Sequence, residues 1–175
     1  MHEIFIITGN RNTGQTPQVL SQLLSNLSPE WTSNNEGSQT WSPFDVIGHL
    51  IHGDKTDWLN RVEIILSNST DKRFESFDRF AQFESCKGKS LLQLLDEFKE
   101  IREKNIAELK QLNISNEDLS KIGIHPTFGE VKLSQLLSTW VVHDLDHISQ
   151  ISRVMAKQYK NEVGPWIEFL KTLNQ

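Results

Sequence analysis

The sequence predicts an all-α fold: a four-helix bundle with a short C-terminal helix. Three observations lead there. Four stretches carry Leu/Ile-rich series at helical spacing. Three of them open on residues that start helices. The 175-residue length suits one domain, and four amphipathic helices of this size bury their apolar faces most simply as a bundle.

The first helix is predicted from Thr16-Pro17, with Thr16 as cap and Pro17 in the first helical position. Leu20, Leu23, Leu24 and Leu27 form its stripe, and Ser28-Pro29 ends it. Residues 1–15 read as an extended segment leading in. Within them, Gly9, Gly14, Gln15 and Thr16 come within one residue of a phosphate-binding GxxxxGK[ST] loop. The missing residue is the lysine that would reach the phosphates, and no alternating strand–helix pattern follows. Nucleotide binding is therefore not expected.

The second helix begins at Ser42-Pro43-Phe44-Asp45, with Ser42 capping and Asp45 near the positive helix end. Ile47, Ile51, Trp58, Val62 and Ile65 share one face, and the pattern fades at Ser67-Asn68-Ser69. The third begins at Ser90, where Gln93 completes a capping box, and its stripe runs from Leu91 to Leu112. The fourth follows Gly129 and runs from Leu133 to about Lys157. Gly164-Pro165 then breaks the chain before an amphipathic tail, Trp166 to Leu173.

The connection over residues 68–89 permits a non-sequential, crossover topology. It carries Phe74, Phe77, Phe80 and Phe83 at intervals of three. Rings so spaced either pin the connection across the bundle or wall a pocket.

Composition excludes several functions. Hydrophobic residues are 37% and charged residues 23%, a globular balance. With a net charge of −5 and no basic run, nucleic acid is not an expected partner. No apolar run approaches the ~20 residues of a membrane span. The N-terminus lacks a basic start and a long apolar core, and Cys86 is the single cysteine, so a reducing cytoplasm is expected. One cysteine also excludes zinc sites that need two. Cys86 beside Lys87 and near Lys89 reads as an incidental loop thiol or a mildly activated one.

The histidines carry the chemistry. His143 and His147 are four apart, so both lie one turn apart on one side of the fourth helix. Two such imidazoles can reach one ion at about 2.0–2.1 Å. Leu136, Trp140, Ile151 and Val154 occupy the same arc, which turns the pair toward the core. Asp144 and Asp146 flank it, either as solvated charges or as carboxylates orienting an imidazole. A third ligand must come from another helix, and His49 and His52 on the second are the choices. Periodicity alone sets His49 about 160° from Ile47 and Ile51, on the surface side. His125, before Pro126, reads as a turn or capping residue.

Two segments resemble a known family. Trp41-Ser-Pro-Phe-Asp-Val-Ile-Gly-His49-Leu-Ile-His-Gly-Asp-Lys-Thr-Asp-Trp58 is similar to the second-helix motif of the DinB superfamily, which includes YfiT-like metal-dependent hydrolases. His125 to Gln150, with Trp140, His143 and His147 at its centre, is similar to the fourth-helix motif. The resemblance implies a four-helix bundle of crossover topology and a metal site of three histidines. Carried over by motif position, His49, His143 and His147 are the ligands, and the ion is most often zinc or nickel. It also implies homodimers, with hydrolases and low-molecular-weight-thiol S-transferases among the activities. His52 is an extra histidine outside the motif, one turn from His49, and is the candidate catalytic residue.

Three neutral histidines leave a coordination position open, as catalytic zinc sites do. A water there, with its pKa lowered toward ~7, would give a hydrolase acting on a small molecule. A thiolate there would give a thiol transferase. Metal binding or a stress-related role without turnover is the non-enzymatic alternative.

Overall fold

The computed structural model describes the backbone of residues 2–174 and side chains from Asn12 onward. Helix α1 spans His2–Leu24, so the segment expected to be extended is helical from its second residue. Thr16 is not a cap, and Pro17 lies inside the helix. Proline has no N–H to give the carbonyl four residues back, Thr13, and such a loss normally breaks a helix. Here the Arg102 guanidinium donates from Nη1 to the Thr13 oxygen at 2.7 Å, supplying the missing donor from another helix. The Thr16 hydroxyl, freed from capping, donates to Asp144 Oδ2 at 2.7 Å. The phosphate-loop look-alike falls in this helical backbone, and Gly9 itself lies outside the described side chains.

A short helix α2, Pro29–Ser33, leads to α3, Pro43–Thr56. The expected cap is formed: Asp45 N–H donates to Ser42 Oγ, and Asp45 Oδ2 accepts from the Ser42 N–H. The predicted second helix is two pieces, because the backbone kinks at Asp57 before α4, Trp58–Leu66. The ladder still crosses the kink through Asp57 N–H to Gly53 O and Arg61 N–H to Asp57 O. Helix α5, Ala81–Ser85, packs on α3. Gly48 permits that approach, since a Cβ there would stand 2.6 Å from Cys86 Sγ.

Helix α6, Leu91–Gln111, opens on the predicted Ser90–Gln93 capping box. Helix α7 spans Leu133–Lys157. Before it comes an unpredicted hairpin, β1 Ile122–His125 and β2 Gly129–Lys132, paired antiparallel. Four-residue strands are too short to show a period in the sequence. His125 holds the hairpin's turn, its Nδ1 accepting from the Thr127 and Phe128 N–H groups, which is the capping role expected of it. The C-terminal helix is realised as 3-10 turns, Gly164–Phe169 and Lys171–Leu173, with Leu173 docked and Trp166 and Phe169 exposed.

The bundle is built from α1, α3 with α4, α6 and α7. Helix α1 packs on α6 and α7, and α3 packs on the same two. Helices α1 and α3, consecutive among the four, therefore face each other across the bundle, which is the crossover topology. Two apolar clusters fill it, one around Leu20, Ile47, Phe98 and Ile151, the other around Trp58, Val62, Leu133 and Trp140.

The long connection is fixed near its start. Lys72 Nζ donates to the carbonyls of Ile64, Ile65 and Ser67, capping the C-terminus of α4. Phe74 N–H donates to Ile124 O and Ile124 N–H to Lys72 O, adding a bridge to the hairpin edge. Both readings of its four phenylalanines hold, but for different rings. Phe74 is buried in the second cluster, Phe77 lies against histidines, and Phe80 and Phe83 are exposed and stacked on each other. Among the described residues no helix is long and apolar enough to cross a membrane.

Candidate metal centre

Helices α3 and α7 deliver the histidines. His49 Nε2 stands 3.2 Å from His143 Nε2, and His147 Nε2 stands 3.1 Å from the same atom. Each of the three offers a nitrogen, all within 4.8 Å of one another. Two imidazoles bound to one ion at 2.0–2.1 Å have nitrogens about 2.9–3.4 Å apart, from right-angled to tetrahedral arrangements. The contacts at His143 fall in that range, so the donor set fits one divalent ion. His52 is not part of the group, and no Cys, Asp or Glu among the described residues joins it.

His49 is only 6% exposed, contrary to its position on the wheel. The reason is that α3 is covered on nearly every side, by α2, α5, α6 and α7. Val46, Gly48, His49 and Leu50 are buried as well as Ile47 and Ile51. One-sided periodicity says little about a helix with so small a solvent face.

Burial sets the protonation. It pushes the pKa of His49 and of His143 down to about 3, with the neighbouring imidazoles adding repulsion between the charged forms. His147 is lowered for the same first reason. All three are neutral at pH 7, so each ring has one unprotonated nitrogen to offer a metal. The His147 Nδ1–H donates to Gln150 Oε1 at 2.8 Å, while Nδ1 of His49 and of His143 are buried without a partner.

Aromatic rings wall the group. Trp41 lies 4.7 Å from the His49 ring and 6.4 Å from His147. Trp58 presents its edge to His143 at 5.1 Å and stacks on Trp140. Phe77 meets His49 edge-on at 5.4 Å and His52 at 4.9 Å.

A buried ionic cluster lies behind the histidines. Arg102 is wholly buried and donates through Nε and Nη2 to Asp54, and through Nη1 and Nη2 to Asp144. Its guanidinium lies over the Trp140 ring at 5.2 Å and the Phe98 ring at 4.8 Å. Burial pushes the Asp54 pKa up to about 6, against the pull of Arg102. Asp144 is therefore neither solvated nor paired with an imidazole. It ties α7 to α6 and α1, while Asp146 stays exposed. Arg102 escaped the sequence reading, although it sits among Leu95, Phe98, Ile106 and Leu109, where an apolar residue is expected. Gln150, at the fourth-helix motif's end, was likewise assigned no part. Cys86 is buried and its thiol pKa is raised by desolvation, which removes the activated-thiol reading.

Comparison with solved structures gives two similar folds. YfiT from Bacillus subtilis, described as a probable metal-dependent hydrolase with an unusual four-helix bundle topology, aligns at TM-score 0.72 and 16% identity, covering 91% of this chain and 87% of its own. TT2238, described as a four-helix bundle protein, aligns at TM-score 0.51 and 19% identity, covering 84% of this chain and 98% of its own. None of the curated proteins compared with it matches. The profile of the DinB superfamily matches residues 12–151, a span that holds the three histidines and reaches from within α1 to within α7. The chain belongs to the DinB superfamily.

Proposed function

We propose that this protein is a metal-dependent enzyme in which His49, His143 and His147 hold one divalent ion, zinc or nickel, beside a pocket for a small-molecule substrate. The observation that carries this is the convergence of three neutral imidazoles, His49 and His147 buried and His143 half-buried, with Nε2 contacts of 3.1 and 3.2 Å. Imidazole suits both ions. When bound, the ion supplies Lewis acidity at whatever position the histidines leave open.

The chain's own residues do the rest. Trp41, Trp58 and Phe77 hold the imidazoles between rings and keep bulk water from them. We assign His52, which lies one turn from His49 and against the Phe77 ring, the role of proton acceptor for the nucleophile. Burial lowers the pKa of His52, so it is neutral and able to accept at pH 7.

Hydrolysis is the leading reaction, in keeping with the description of the similar YfiT fold. Transfer to a low-molecular-weight thiol is the second. It is favoured by the absence of any carboxylate in the ligand group among the described residues, since a thiolate needs less help from a base than water does. A homodimer is part of the same proposal.

Metal analysis of untagged protein, repeated on His143→Ala, tests the site; full metal content in that variant would sink it. Incubation with a panel of esters, amides and epoxides, with and without a small thiol, separates the reactions. Metal-dependent loss without thiol identifies hydrolysis, and loss only with thiol identifies transfer. Stoichiometric metal with no turnover by either route leaves a metal-binding protein.

A further inference from the structure

The three imidazoles are not held alike. The Nδ1 atoms of His49 and His143 are buried with no hydrogen-bond partner, while Nδ1 of His147 meets Gln150 Oε1 at 2.8 Å. Gln150 lies one turn beyond His147 on α7 and is half-buried, so its amide is held by the helix that carries the ligand. An imidazole binds a metal through the nitrogen that lacks a proton, and a neutral ring has one such nitrogen. When Gln150 Oε1 accepts a hydrogen bond from Nδ1–H, the lone pair is left on Nε2, the atom that faces His143.

We infer that Gln150 is a positioning residue that fixes the Nδ1–H tautomer and ring orientation of His147, making it the pre-organised ligand on which uptake of the ion depends. The inference rests on the metal site proposed above. Outside the histidine group itself, His49 and His143 meet only rings, Trp41, Phe77 and Trp58, and with no partner at Nδ1 nothing beyond the group selects their tautomers. The side-chain oxygen of Gln150 does so for His147. Second partners of this kind commonly change metal affinity 10–100-fold.

The test compares wild type with Gln150→Met, which keeps the length and loses the acceptor, and Gln150→Glu, which keeps an acceptor oxygen. Affinity for Zn2+ and Ni2+ is read by competition with a chromophoric chelator. A loss of about tenfold or more is expected in Gln150→Met, with Gln150→Glu at wild-type affinity or tighter. The apo proteins are compared by thermal unfolding, which should not separate the variants as the affinities do. Long-range 1H–15N spectra of the metal-free wild type provide an independent reading, with His147 expected as the Nδ1–H form. Gln150→Met within twofold of wild type, or His147 found mainly as Nε2–H, overturns the role of Gln150 and leaves the metal site standing. Wild type that takes up no metal overturns both.

Discussion

Arg102 Nη1 donates to the carbonyl oxygen of Thr13, the one oxygen in the described part of α1 that Pro17 cannot serve. The same guanidinium pairs with Asp54 on α3 and Asp144 on α7, so one side chain joins all four sides of the bundle. Asn105 adds a bond from Nδ2 to the Asp54 carbonyl. Removing Arg102 leaves two buried carboxylates, Asp54 and Asp144, without their countercharge. Arg102→Met should lower unfolding stability by roughly 3–5 kcal/mol, the range for breaking one side of a buried pair. Urea denaturation of both proteins measures it, and a change under about 1 kcal/mol would show the cluster to be dispensable.

Metal uptake should be visible in tryptophan emission. Trp41 and Trp58 lie within about 5 Å of His49 and His143, ring to ring. A paramagnetic ion such as Co2+ or Cu2+, added stoichiometrically, is expected to quench part of the emission. His143→Ala should abolish the saturable phase. Quenching that persists unchanged in that variant would mean that the ion sits elsewhere.

Stability of the metal-free protein should fall on mild acidification. In the unfolded chain His49 and His143 take up protons near their ordinary 6.5, but in the folded state only near 3. Folded pKa values below unfolded ones mean that the unfolded state binds more protons between those limits, so stability rises with pH across that window and is lost as pH drops below about 6.5. Each histidine contributes a slope of up to about 1.4 kcal/mol per pH unit. Asp54 and Asp57, both raised to about 6, take up protons in the folded state first and oppose the trend between 6 and their ordinary 3.8. The clearest loss therefore lies as pH drops from 7 to 6. Chemical denaturation at a series of pH values reads it, and a flat profile over that unit would contradict neutral, buried imidazoles.

Gly123 is the point where the hairpin meets the long connection. A Cβ there would overlap the Phe74 ring and crowd Ile65 Cγ1 at 2.9 Å. Gly123→Ala should cost about 1–3 kcal/mol, as overpacking does. Because Phe74 fixes the stretch that ends at Phe77, the variant should also weaken metal binding modestly. Unchanged stability would mean that the connection yields without strain.

Much of this was legible beforehand. Ser42, Ser90 and Gln93 marked helix starts because a cap is a local exchange of hydrogen bonds, complete within four residues. The α7 stripe exposed His143 and His147 as a core-facing pair because that helix keeps one solvent side. The start of α1 was misread because Thr-Pro is a starting signal everywhere except where a distant donor replaces the missing N–H. The hairpin was missed because its strands are shorter than two periods.

By itself the sequence determined the helices with one wet face, the caps, and the pairing of His143 with His147, since each depends on neighbours within a few turns. The motif resemblance, not periodicity, pointed to His49. Only the tertiary structure decided that His49 is buried, that Arg102 rather than solvent answers Asp54 and Asp144, and that three nitrogens meet at His143. Those outcomes depend on the relative placement of helices far apart in the chain, and burial from all sides leaves no period for a sequence to display.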